Sequence, residues 1–203
     1  MNAGHESTGS RSAVQFYEVP LHTLERHSWH ARTTQHHLYA DPPDSEEWMR
    51  RLNFLQDDPW DEENDAVNRV RWFGHPLGAD QLGASLIEYL PRSPDSPMHM
   101  HYGVEEMFFV LSGTPTVRTP DGEEELSPGD VVYFPEGPDG LHTFSNPTDE
   151  PVRMLGISTK RFPDVVAYPE RRVAWVATRH PERPVPEGGD RGVIARFELT
   201  PDD

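Results

Sequence analysis

The sequence predicts an all-β domain, a sandwich or a barrel, and three observations carry that reading. From about Val67 onward the chain breaks into short segments whose apolar and polar residues alternate with a period of two. Tight-turn sequences separate these segments, with Asp121-Gly122 as a two-residue hairpin turn and Ser127-Pro128-Gly129-Asp130 as a second sharp reversal. The 203 residues include 21 prolines and are only 34% hydrophobic, which suits a core of modest size surrounded by irregular segments. No internal repeat is visible, so one barrel is expected.

Taken in order, residues 1–12 are small and polar and read as a disordered tail. Residues 13–65 read as an N-terminal extension with a strand at Val14–Val19, a His-rich stretch from His22 to His37 and a short helix over Glu46–Leu55. The helix rests on Asp44, three residues before Glu47 in capping-box spacing, and on Trp48, Leu52 and Leu55 falling on one face. The acidic run Asp57–Asp65, interrupted by Pro59, reads as a loop. Residues 66–168 form the expected barrel, with strands at Gln81–Leu90, Pro97–His101, Glu106–Ser112, Pro115–Thr119, Glu123–Leu126, Val131–Phe134, His142–Asn146 and Val152–Ser158. Residues 169–203 read as a C-terminal extension with late strands at Val173–Thr178 and Val193–Leu199 around a Pro/Gly-rich loop, Pro181–Gly189.

Composition excludes several classes of function. A formal net charge of −17 repels nucleic-acid phosphates and anionic membranes, so neither is expected as a partner. The adjacent pairs Arg50-Arg51 and Arg171-Arg172 are read as solvated or paired with carboxylates. With no cysteine there is no disulfide, thiolate metal site or cysteine nucleophile, and any metal must be held by His, Asp or Glu. Met1 to Arg11 lacks the apolar stretch of a signal peptide and no run approaches membrane-span length, so a cytoplasmic location is expected.

The chemistry concentrates in two places. In His99-Met100-His101, strand alternation turns both imidazoles to one side, making a ready pair of metal ligands, although His-x-His also occurs on ordinary solvated strands. Glu106 then opens the apolar run Met107–Leu111, where a carboxylate is costly unless it is paired or metal-bound. Further on, Gly129, Pro135 and Gly137 bracket one short strand, and His142 opens the next, with Asn146 following. In a rolled-up antiparallel sheet these strand mouths can converge.

These residues resemble the two motifs of the cupin superfamily. His99, His101, Glu106 and Gly113 match the first motif, and Gly129, Pro135, Gly137, His142 and Asn146 match the second. The resemblance spans roughly Gly83 to Tyr168 and departs from the pattern twice. Ser93 stands where the first motif opens with glycine, and Pro138-Asp139-Gly140-Leu141 puts four residues before His142 where the pattern has two, so a looped-out insertion is expected. The resemblance implies a jelly-roll β-barrel and one divalent metal ion held by His99, His101, Glu106 and His142. Iron(II) is favoured, with zinc, nickel, manganese or copper accepted by the same nitrogen and oxygen donors.

Phe108, Val110, Tyr133 and Phe144, with Asn146 from the motif, are candidates to line the pocket, ordinary core packing being the plainer alternative. Tyr133 is a candidate for an acid or base near the metal. Glu105 is expected on the face opposite Glu106. His22, His27, His30, His36 and His37 have irregular spacing and no companion carboxylate, so a second metal site there is not favoured.

Four ligands on a six-coordinate ion leave two positions open, the mark of a catalytic rather than a closed structural metal. The first functional expectation is a dioxygenase-type oxidoreductase acting on a small organic substrate. A non-redox isomerase, lyase or cyclase on the same site is the alternative, and a ligand-binding or regulatory barrel is the third reading. A homodimer is expected because Met107–Leu111 and Val131–Phe134 carry apolar residues on both faces and need cover outside as well as inside. Residues 13–65, with Phe16, Tyr17, Trp29, Tyr39, Trp48, Phe54 and Trp60, would supply that cover or form a lid over the pocket.

Overall fold

The computed structural model describes residues 16–18, 49–56, 59–64, 67–179 and 192–200. The described residues form β-strands and two single-turn 3₁₀ segments. In chain order the strands are β1 (Phe16–Glu18), β2 (Glu62–Asn64), β3 (Asn68–Trp72), β4 (Leu82–Tyr89), β5 (Met100–His101), β6 (Glu106–Ser112), β7 (Thr116–Thr119), β8 (Gly122–Glu125), β9 (Val131–Phe134), β10 (Thr143–Ser145), β11 (Val152–Thr159), β12 (Asp164–Tyr168), β13 (Val173–Ala177) and β14 (Val193–Leu199). They pair antiparallel in three sheets, ordered β2-β3-β4-β11-β6-β9, β10-β7-β8 and β1-β14-β13-β12-β5. The expected barrel is therefore not a continuous ring of hydrogen-bonded strands.

The alternation that predicted the strands also sorts their faces. Along β4, Ile87 and Tyr89 face the cluster between the sheets while Leu86 and Glu88 turn to the opposite face, where they too are buried, and β11 sends Val152 and Met154 inward. Phe108 and Val110 from β6, Phe134 from β9, Val117 from β7, Phe144 from β10 and Leu126 complete one apolar cluster between the six-stranded and three-stranded sheets. Each large side chain removed from water here contributes about 1.5–3 kcal/mol. Gly113 is required at the end of β6: its φ is +77°, and a Cβ there would sit 2.7 Å from the Val152 side chain.

Several elements differ from expectation, among them β3, which stands where no strand was expected. The helix proposed for Glu46–Leu55 is not formed in its described part: Met49 to Asn53 are irregular, and a turn follows in which the Asn53 side chain accepts the Leu55 N–H at 3.1 Å. Leu55, 64% exposed, finds no core to face, and the residue that does pack is Phe54, stacked on Phe73 at 5.7 Å. The acidic run read as a loop contains β2, held as a sheet edge by pairing with β3. β12 was not anticipated either; it bridges β13 and β5 and so carries the second half of the His-x-His strand. The His-rich stretch, the expected tail and the Trp48 face of the helix lie outside the described residues.

The outer face of the large sheet is partly covered by the residues just before it. Trp60 lies beneath the guanidinium groups of Arg69 (4.9 Å) and Arg71 (5.2 Å), and Glu88, 2% exposed, receives Arg69 and Arg153. At the other end of the same face Met107, Leu111, Val131 and Tyr133 remain exposed.

Candidate metal centre

Four side chains from four places in the chain meet at one end of the core. His99 pairs with His142 through reciprocal backbone hydrogen bonds of 3.0 Å, which brings the two motifs side by side. His101 lies on β5 against Val166 of β12, and Glu106 is the first residue of β6. Around Glu106 Oε2 the imidazole Nε2 atoms stand at 3.8 Å (His99), 3.5 Å (His101) and 3.7 Å (His142). The ligand atoms of His99, Glu106 and His142 lie within 4.8 Å of one another, a group that could hold a metal ion, and His101 joins it through Glu106.

The opposite nitrogen of each ring is engaged, and this sets what the inner nitrogen offers. His99 Nδ1 lies 2.9 Å from the carbonyl of Pro97, and His142 Nδ1 lies 2.8 Å from that of Gly140. A carbonyl only accepts, so each Nδ1 carries the hydrogen and each Nε2 presents a lone pair inward. His101 Nδ1 instead meets Asp164 Oδ2 at 2.6 Å, and the other Asp164 oxygen accepts the Gly103 N–H at 2.9 Å. His142 is 1% exposed and its Nε2 has no hydrogen-bond partner among the described residues. Lone pairs and a carboxylate facing one another under burial are costly unless a cation joins them, so the donor set fits a divalent metal.

The protonation preferences follow from the same surroundings. Burial pushes the His99 imidazole down to about 4, with the neighbouring His142 adding to the effect. Burial also lowers His142. His101 is buried too, but the Glu106 charge and the Asp164 hydrogen bond outweigh burial and raise it. Of the three imidazoles, His101 is therefore the one whose surroundings favour the protonated form.

The walls are aromatic. Phe134 stacks on the His142 ring at 3.7 Å and 8°, and Phe108 and Phe144 contact the same ring at 5.7 Å and 5.6 Å. Tyr168 stacks on His99 at 5.8 Å and is itself backed by Trp175 at 5.1 Å. The side chains of His99 and His101 remain 24% and 17% exposed, so the cluster opens to solvent on their side.

The extra residues before His142 are not looped out. Pro138–Gly140 forms a 3₁₀ turn in which Gly140 is buried, and the Gly140 carbonyl is the group that orients His142. A Cβ on Gly140 would lie 1.9 Å from the Pro135 carbonyl oxygen, so only glycine fits. Ser93, standing at the motif's glycine, is buried and bridges to Asn146.

Of the other sequence candidates, Phe108 and Phe144 reach the His142 ring, while Val110 is part of the apolar cluster. Two are corrected. Tyr133 points outward, 51% exposed, and its hydroxyl donates to Glu105 Oε1 at 2.7 Å; alternation along β9 gives the inward place to Phe134. Asn146 is not a pocket residue: its Nδ2 donates to the carbonyls of Leu90 (3.0 Å) and Glu150 (2.8 Å), and its Oδ1 accepts from Thr148, so it ties loops together. The sequence reading missed Asp164, Phe134 and the roles of Gly140 and Tyr168. Asp164 had no signal within either motif, because it reaches the cluster from a strand that begins 63 residues after His101.

Comparison with known proteins agrees with this geometry. The Cupin_2 family, described as a cupin domain, matches residues 85–158. A protein of Acidithiobacillus ferrooxidans, provisionally described as a sugar phosphate isomerase, is 31% identical over 55% of this chain and 70% of its own, with a TM-score of 0.51. A sugar phosphate isomerase of the cupin superfamily from Silicibacter pomeroyi is 26% identical over 62% of this chain and 86% of its own, with a TM-score of 0.52. No curated protein matches by sequence. With both motifs gathered on one antiparallel scaffold and a 31% identical relative covered over 70% of its length, the chain belongs to the cupin superfamily.

Proposed function

We propose that the protein is a metal-dependent enzyme of non-redox type, an isomerase acting on a small substrate with adjacent oxygen functions, of which a sugar phosphate is the leading class. The observation that carries the metal reading is the convergence of three imidazole Nε2 atoms on Glu106 within 3.5–3.8 Å, with their Nδ1 atoms tied back to acceptors. The isomerase reading is supported by the two similar solved structures described as sugar phosphate isomerases. The four ligands are His99, His101, Glu106 and His142. A divalent ion held there supplies a Lewis acid for a carbonyl or hydroxyl oxygen.

The chain's own residues define the remainder of the site. Phe108, Phe134 and Phe144 wall off the inner side of the cluster, so substrate enters from the side where His99 and His101 are partly exposed. Tyr168, on the His99 ring, is pushed up to about 12 by burial, with Glu106 and Asp164 adding to the shift, and so keeps its proton at neutral pH.

The test is metal analysis of untagged protein, followed by aldose–ketose conversion assays on a sugar phosphate panel after reloading with Mn²⁺, Zn²⁺, Ni²⁺ or Fe²⁺. Oxygen uptake is followed in parallel. Metal-dependent interconversion without oxygen consumption is expected. Stoichiometric oxygen uptake by the iron form, with no interconversion, would replace the isomerase reading with the dioxygenase one.

A further inference from the structure

We infer that Asp164 is a positioning residue for the metal centre, the group that makes His101 a different ligand from His99 and His142. The inference rests on the reading of His101 as a ligand and adds a residue outside both cupin motifs.

Three imidazoles face Glu106, but they are not held alike. His99 and His142 each donate Nδ1–H to a backbone carbonyl two residues earlier in the chain, at 2.9 Å and 2.8 Å. Those are local, neutral contacts. His101 is held by a carboxylate from another strand, at 2.6 Å. Asp164 is 2% exposed and engaged at both oxygens, Oδ2 with His101 and Oδ1 with the Gly103 N–H at 2.9 Å. One side chain therefore sets both the ring orientation of His101 and the backbone immediately after it.

The fold places it there on purpose of topology rather than motif spacing. β12 pairs with β5 so that Val166 opposes His101, and Asp164, two residues before Val166, leans back across the pair. Gly103 leaves the space: a Cβ there would already stand 3.4 Å from Asp164 Oδ1 and 3.3 Å from the Arg161 carbonyl. A carboxylate accepting the remote N–H of a metal-bound imidazole fixes its tautomer and makes the ligating nitrogen more basic. A backbone carbonyl fixes the tautomer but brings no charge. His101 should thus be the strongest nitrogen donor of the three, and Asp164 its cause.

The experiment uses the full chain and the metals alone. Wild type, Asp164→Ala, Asp164→Asn, Asp164→Glu and His101→Ala are stripped of metal. Zn²⁺ and Co²⁺ affinities are then measured by chelator competition, together with the visible absorption of the Co²⁺ forms and the melting of the metal-free proteins. Asp164→Ala is expected to bind about 10–100-fold more weakly, the usual effect of removing such a partner. Its Co²⁺ bands should shift, because the donor strength of His101 changes, while Asp164→Glu should recover part of both. A purely architectural role would lower the melting temperature of the metal-free protein and leave the Co²⁺ spectrum of the bound form unchanged. That result, or wild-type affinity in both Asp164→Ala and Asp164→Asn, would overturn the inference. If wild type itself binds neither ion, or His101→Ala binds as tightly as wild type, the ligand assignment fails instead.

Discussion

Replacing His142 by alanine tests the centre where burial is greatest. His142 is 1% exposed, its Nε2 stands 3.7 Å from Glu106 Oε2, and its ring lies flat against Phe134 at 3.7 Å. Two effects need separating. The lost ring contact destabilises the protein whether or not metal is present, by about 0.5–1.5 kcal/mol beyond the area it buries. The lost ligand acts only when metal is present. A ligand that binds the folded chain alone stabilises it by about 2.7 kcal/mol at 100 times Kd. For a chain of this size each kcal/mol moves the midpoint by about 2–4 °C, so wild type should gain about 5–11 °C between chelator and saturating metal. The assay is thermal melting of both proteins in chelator and in a titration of Zn²⁺ or Mn²⁺, each compared with itself. His142→Ala should melt lower than wild type in chelator and gain no more than a small fraction of the metal-induced shift at the same ion concentration. An equal shift in the variant would show that the ion sits elsewhere and would refute the assignment of the centre.

Other consequences follow from the outer sheet and the loops. Burial alone raises the Glu88 carboxyl, but hydrogen bonds and charge from Arg69 and Arg153 outweigh it and hold the pKa below its usual 4.5. A lowered carboxylate stabilises the fold above that value and loses its contribution as pH falls through the folded-state pKa. Glu88→Gln should therefore cost about 1–3 kcal/mol in denaturant unfolding at neutral pH, a range discounted because Arg69 and Arg153 are 33% and 45% exposed, and the gap from wild type should narrow as pH falls below the usual carboxylate value of 4.5. A gap that widened toward acid would contradict the assignment. Asn146→Ala removes the amide donor shared by the Leu90 and Glu150 carbonyls and the oxygen to which Thr148 donates, and should cost about 1–3 kcal/mol, while the variant that remains folded binds metal stoichiometrically. We further propose that the exposed Met107, Leu111, Val131 and Tyr133 face joins two copies of the chain. Analytical ultracentrifugation should find a dimer for wild type and a monomer with intact metal binding for Val131→Lys; a wild-type monomer at micromolar concentration would remove that proposal.

Much of the fold was legible because it follows from period-two alternation and turn chemistry, both local properties. Glu106–Ser112, Val131–Phe134 and Val193–Leu199 have the expected bounds for that reason. The alternation also put Glu105 and Glu106 on opposite sides, as found, with Glu105 receiving the Tyr133 hydroxyl. Where a short element depends on its neighbours, local pattern misleads. Glu62–Asn64 is acidic and became a strand because Asn68–Trp72 offers it a ladder, and within the expected Glu46–Leu55 helix it is Phe54, not the face carrying Leu52 and Leu55, that packs, on Phe73.

The two motifs, through the family they resemble, already singled out His99, His101, Glu106 and His142, and the fold gathers the three imidazoles around Glu106 Oε2. Tertiary structure alone decided how each of them is held. His101 receives a carboxylate because β12 lies beside β5, a pairing between segments more than 60 residues apart that no local pattern encodes. His142 is oriented by the carbonyl of Gly140 because the extra residues before it curl into a turn against Pro135 rather than into solvent. Phe134, not Tyr133, covers the imidazole because the β6–β9 register, which sets Glu106 against Phe134, chooses which of two adjacent aromatic residues faces inward.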